Sequence, residues 1–160
     1  MNPLLPDLAA TVESLQQFVD TLPLTLQFLA LLVIGAIPFL EGDVAGLVGI
    51  VAGVPALAAF LPAAGGTVLA TFASVTLGAS IGGRRSKGER ERRILARVEK
   101  WGIPVAMFLG GFFLSVVING FVMSAAGLNR FLVLISGIGT AVVNTAFVML
   151  VASGALHVLT

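Results

Sequence analysis

Cysteine is absent from the chain, which excludes a disulfide framework, a thiol nucleophile and a thiolate metal site. The single histidine cannot build a His-rich metal centre, and no group of acids has metal-ligand spacing. No P-loop is present, so ATP-driven transport by this chain alone is excluded. No paired nucleophile and base can be named, so an enzyme is not expected, and nothing signals a cofactor. Charge is scarce: 11% of residues are charged, against about 25% in a soluble domain. Before Leu24 the only charged residues are the acids Asp7, Glu13 and Asp20. The start therefore lacks the basic n-region of a signal peptide, and no small-residue cleavage site follows it.

What is present is apolar. Hydrophobic residues make up 58% of the sequence, and the mean hydropathy is +1.06. Leu24–Leu40, Val44–Gly83, Ile103–Leu128 and Phe131–Leu159 run almost without charge. Each reaches or approaches the roughly 20 residues that cross a bilayer. These runs predict an all-α integral membrane protein in a single membrane domain, residues 1–160. Eight of the nine Lys and Arg residues lie between Arg84 and Lys100, and the ninth is Arg130. The positive-inside rule places 84–100 in the cytoplasm and leaves the N-terminus outside, in a multi-pass protein of a prokaryotic plasma membrane. Pinned between two membrane runs, this basic segment is not expected to bind nucleic acid. Residues 89–100 can form a helix whose arginine face rests on anionic lipid. Residues 3–21 have the spacing of an amphipathic interfacial helix.

The informative stretch is Ile37-Pro38-Phe39-Leu40-Glu41-Gly42-Asp43. A charged residue inside an apolar run costs roughly 2.5–3.5 kcal/mol on insertion scales, so it is expected to face water, a partner or a substrate. Pro38 and Gly42 bracket the acids and are expected to break the helix, exposing backbone groups that only a protein interior or a cavity can accept. Carboxylates held out of water can exchange protons near neutral pH, the physical basis for proton coupling at Glu41 and Asp43. The alternative is a structural carboxylate capping a broken helix. Ser115 and Asn119, with Gly120 as a second helix break, are expected to complete the site from the second half. Thr67 and Asn144 read as secondary polar positions, or as hydrogen-bonding glue between helices. Arg130 is expected to snorkel to the interface.

An offset of 74 residues aligns the two halves: Gly46 falls on Gly120, Ala52 on Ala126, Gly53 on Gly127, Gly65 on Gly139, and Glu41 opposite Ser115. Each half reads as amphipathic helix, broken apolar segment and long span, with repeat 1 at about 5–83 and repeat 2 at about 89–159. If each broken segment is a re-entrant hairpin, the halves have opposite orientation and all nine basic residues lie inside. If every apolar run spans, there are five spans and Arg130 lies outside.

Lys100-Trp101-Gly102, Phe108-Leu109-Gly110-Gly111-Phe112 and Ala125-Ala126-Gly127-Leu128-Asn129-Arg130-Phe131 resemble the second half of the DedA (VTT, SNARE-associated Golgi) superfamily. Gly35-Ala36-Ile37-Pro38-Phe39-Leu40-Glu41-Gly42 and Gly49-Ile50-Val51-Ala52-Gly53 resemble the short proteins called small multidrug export proteins. The likeness covers roughly residues 24–154. It implies two inverted repeats whose re-entrant hairpins meet at mid-membrane, often in a homodimer. It also implies proton-linked transport or translocation of a phospholipid, a polyprenyl-phosphate carrier or a small hydrophobic molecule such as a drug. The acid of the first hairpin would be Glu41, with Asp43 beside it. The pattern departs in the second hairpin, where Gly110-Gly111-Phe112 and Val117 stand in place of the family's two arginines. A membrane scaffold without transport activity, packing its glycine-lined faces on another protein, is the alternative from a different class.

Overall fold

The computed structural model describes residues 14, 17–18, 21–82 and 89–159, the side chains of 89–98 and 156–159 excepted. Among these residues the protein is all-helical: α1 (Leu24–Ala36), α2 (Glu41–Val51), α3 (Ala56–Ile81), α4 (Glu89–Phe113), α5 (Val116–Ala125) and α6 (Arg130–Leu159). The amphipathic helix expected over 3–21 and the basic positions 84–88 lie almost wholly outside the described residues. The second part of the basic segment opens α4, a 25-residue helix that continues through Pro104 into the apolar stretch.

Two helices are long and apolar enough to cross a membrane: Ala56–Ile81 and, within α6, Arg130–Ala155, each of 26 residues. Only 39% and 33% of their most apolar windows are buried within the protein, whereas a soluble core helix is mostly covered. Leu57, Leu61, Leu69 and Phe72 on α3, with Ile135, Val143, Phe147 and Leu150 on α6, face outward. Such a surface needs lipid or protein against it. By contrast α1, α2 and α5 have 13, 11 and 10 residues. At 1.5 Å per residue they reach about 15–20 Å, too short for a hydrocarbon core of about 30 Å.

The chain divides into two compact units, one of residues 1–66 and 144–160, the other of 67–143. The units are not the sequence repeats. Each takes a pair of helices joined by a break from one repeat and part of a long helix from the other. In the first unit α1 packs against α2, around Leu31, Ile34, Ala45, Val48, Ala59 and Met149. In the second α4 packs against α5, around Val75, Ile103, Met107, Val116 and Val133.

Candidate functional site

Pro38 dictates the break between α1 and α2. A proline disfavours helical geometry in the residue before it, and Ile37 is extended at φ −79°, ψ 123°. The chain restarts as helix at Glu41, whose N–H donates to the Ile37 carbonyl at 3.0 Å. Phe39 and Glu41 both have positive φ, 73° and 45°. For residues with a β-carbon this conformation costs of order 1–3 kcal/mol each, and it persists only where surrounding packing enforces it. Gly42 is not part of the break, contrary to expectation; it lies in the first turn of α2. It is required for a different reason. A β-carbon there would strike the Thr145 hydroxyl and come within 3.1 Å of the Ala63 carbonyl. The acidic end of α2 is thus docked directly on α6 and α3.

Glu41 is buried, at 6% exposure, and Asp43, two residues further on, is half-buried. Both sit in the first turn of α2, where the helix dipole favours negative charge. Beside this turn, Thr145 is fully buried and its Oγ1 has no hydrogen-bond partner among the described residues. The preceding residue, Asn144, is 1% exposed, and neither its Nδ2 nor its Oδ1 has a partner among the described residues. Buried polar atoms in native proteins are nearly all satisfied, so several unsatisfied ones together call for an explanation such as an ion, water or ligand. Glu41, Asp43, Asn144 and Thr145 belong to one unit, and Thr145 is a residue that sequence reasoning missed.

The other expected site residues fall in the second unit. Ser115 is extended, φ −177° and ψ 133°, and its Oγ accepts the Ile118 N–H at 3.2 Å, capping α5. Asn119 packs its amide against Gly110, and its Nδ2 has no partner among the described residues. Gly120 does not break a helix, contrary to expectation. It lies inside α5, where its bare Cα lets Val75 and Ser74 approach, at 3.1 and 3.2 Å from a would-be β-carbon. Thr67 is buried on α3. Arg130 is exposed in the first turn of α6, above Asn129, whose Oδ1 accepts the Phe131 and Leu132 N–H groups at 3.1 and 3.3 Å.

Gly78-Ala79-Ser80-Ile81-Gly82 has the spacing of a serine nucleophile elbow, a motif that sequence reasoning wrongly took to be missing. The elbow requires a strained strand-to-helix turn. Here the five residues close a helix, and the Ser80 hydroxyl donates to the Leu77 carbonyl at 2.7 Å.

The 74-residue offset reappears in the contacts inside each unit. Gly53 and Gly127 end α2 and α5 with φ of 76° and 77°. The following N–H groups, of Val54 and Leu128, reach back to the carbonyls of Gly49 and Met123 at 2.9 and 3.2 Å. Both are Schellman caps, in which glycine supplies the left-handed conformation. No family model matches the chain, and no curated protein or solved structure gives a significant match.

Proposed function

We propose that this chain is a multi-pass protein of the prokaryotic plasma membrane, DedA-like in plan, acting as a secondary transporter or lipid translocase rather than an enzyme. Glu41 and Asp43 form its proton-coupling or substrate site, with Thr145 and Asn144 supplying hydrogen bonds. The observation that carries this reading is the buried Glu41 at a strained helix break, with the next residue, Gly42, lying against the Thr145 hydroxyl, which has no partner among the described residues. A carboxylate buried within an apolar run is expected to face a partner or a substrate.

Depth supports the same reading. Thr145 lies at the middle of α6, fifteen residues after Arg130 and fourteen before Leu159. A residue at the middle of a spanning helix sits near the centre of the hydrocarbon core. Packing supports re-entrant hairpins over five full spans. Leu31 meets Gly49, so α1 returns beside α2, and α2 leads directly to the start of α3. In the second unit Gly78 of α3 and Gly82 just beyond it lie against the Phe121 and Ala125 carbonyls, so α5 ends level with the end of α3. On this reading each break is a turning point inside the membrane, as in the re-entrant segments of many transporters. Arg130 shares a hollow with Ser80 near the end of α3, which supports putting it on the same side as the basic segment 84–100.

The absence of cysteine gives a direct test. Asp43→Cys is labelled in intact cells and in inverted vesicles with a membrane-impermeant thiol reagent. Labelling that depends on side and on pH is expected, and Glu41→Gln is expected to remove the pH dependence. Labelling from outside alone under all conditions would make 37–43 an exposed loop. No labelling from either side would favour the packed scaffold.

A further inference from the structure

The second unit holds a hollow of about 360 Å³ whose lining is graded along two helices. At its outer end stand Arg130, in the first turn of α6, and Ser80, in the last turn of α3; Thr76 follows one turn deeper. Its inner wall is Phe72, Val75 and Leu134. Ser80 to Phe72 spans about 12 Å along α3, and Arg130 to Leu134 about 6 Å along α6. The polar groups thus sit where both apolar helices end, and the aromatic and aliphatic groups lie below them.

The hydrogen bonds sort these groups further. Ser80 and Thr76 spend their hydroxyl protons on carbonyls of their own helix, Ser80 on Leu77 at 2.7 Å and Thr76 on Phe72 and Ala73 at 2.9 and 2.8 Å. Their oxygens are left as acceptors. Arg130 makes no ion pair among the described residues, and its guanidinium is a fork of donors suited to phosphate oxygens. A ligand that fits is anionic and phosphate-bearing, has a hydroxyl or amine donor beside the phosphate, and carries a hydrocarbon tail.

We propose that this hollow is a binding site for a single glycerophospholipid of anionic headgroup, with its phosphate on Arg130 and one acyl chain along Phe72, Val75 and Leu134. It is separate from the acidic site at Glu41, which lies in the other unit. The proposal rests on the membrane part of the reading above and not on transport.

Native mass spectrometry of the purified full chain in micelles, with phosphatidylglycerol and phosphatidylcholine of matched chains added, reads the site directly. The wild type is expected to retain phosphatidylglycerol preferentially. Arg130→Gln should lower that preference roughly tenfold, the change that follows loss of a charge-assisted hydrogen bond. Ala79→Leu, which fills the hollow and keeps the arginine, should lower retention of both lipids. Equal retention of the two lipids by the wild type, or an unchanged preference in Arg130→Gln, overturns the site. Displacement of the lipid by inorganic phosphate alone overturns the lipid assignment in favour of a free phosphate. Resistance of the chain to alkaline extraction from membranes is scored separately. An extractable chain refutes the membrane reading, and a retained chain without headgroup preference refutes only the site.

Discussion

In the first unit Gly46 lies against Met149 and Thr145; in the second, Gly120 lies against Val75 and Thr71. Every member of the second set precedes or follows its counterpart by 74 residues, and both threonines are fully buried with hydroxyls that have no partner among the described residues. The same glycine caps close α2 and α5. The two units thus share a way of docking a short helix on a long one. They differ at the start of that short helix. Glu41 and Asp43 in the first unit have Ser115 and Val117 as counterparts in the second. Among the described residues with a side chain, positive φ is confined to Phe39 and Glu41 of the first unit. Ser115 caps α5 without charge or strain. The second unit thus starts its short helix without a carboxylate, as the role proposed for Glu41 requires.

Alanine at position 42 should break the comparison most severely. Val116, the counterpart of Gly42, is accommodated as a buried side chain, whereas a β-carbon on Gly42 meets a hydroxyl and a backbone carbonyl. Backbone cannot yield as a side-chain tip does. Gly42→Ala is expected to cost about 3 kcal/mol, the upper end of the overpacking range, seen as an early transition in denaturant titration of the protein in micelles. A fully stable variant would mean that α2 is not docked on Thr145.

The paired threonines sharpen the comparison. An unpartnered buried hydroxyl carries a desolvation penalty of about 1–3 kcal/mol, so Thr71→Val and Thr145→Val should each stabilise the chain by up to that amount. The units should then part in function: Thr145→Val is expected to abolish pH-dependent labelling of a cysteine at position 43, and Thr71→Val to leave it intact. Equal effects on labelling would remove the functional distinction between the units. Ser115→Ala, which deletes the cap on α5, should cost about 1 kcal/mol in the same titration. A silent Ser115→Ala would show that the cap contributes nothing to the second break.

Much of this arrangement is legible in the sequence because it rests on residues with one local meaning. Pro38 ends α1 wherever it occurs, and two carboxylates in an apolar run point to a protected environment. Long uncharged runs give α3 and α6. Glycine is different, because it serves equally as a helix breaker and as a point of close approach. At Gly42 and Gly120 close approach wins, and neither breaks a helix. Threonine is silent for another reason. Thr76 satisfies its hydroxyl on its own helix, so nothing local distinguishes it from Thr71 or Thr145, which do not. Only the 74-residue spacing could have found that pair, and it becomes visible once the offset is applied to polar residues as well as to Gly and Ala. The exchange of long-helix segments between repeats leaves no local signal at all, since it is a property of contacts far apart in the chain.

The smallest expected effect tests the correspondence most finely. Gly46 and Gly120 are equivalent helical glycines, and replacing either with alanine recovers about 1 kcal/mol of helix propensity. Their surroundings differ. A β-carbon at 46 would lie 2.7 Å from Cγ and 2.9 Å from Sδ of Met149, so the whole methionine side chain must shift. At 120 the contacts are 3.1 Å to Val75 and 3.2 Å to Ser74, and a few tenths of an ångström suffice. Valine is stiff, but the displacement asked of it is small; methionine is adaptable, but it is asked to move further in a filled core. Gly120→Ala should therefore be near neutral, and Gly46→Ala should be the less stable of the two by about 1 kcal/mol. The reverse order would mean that the first unit has more room at this contact than the second, and that the shared docking does not extend to its packing.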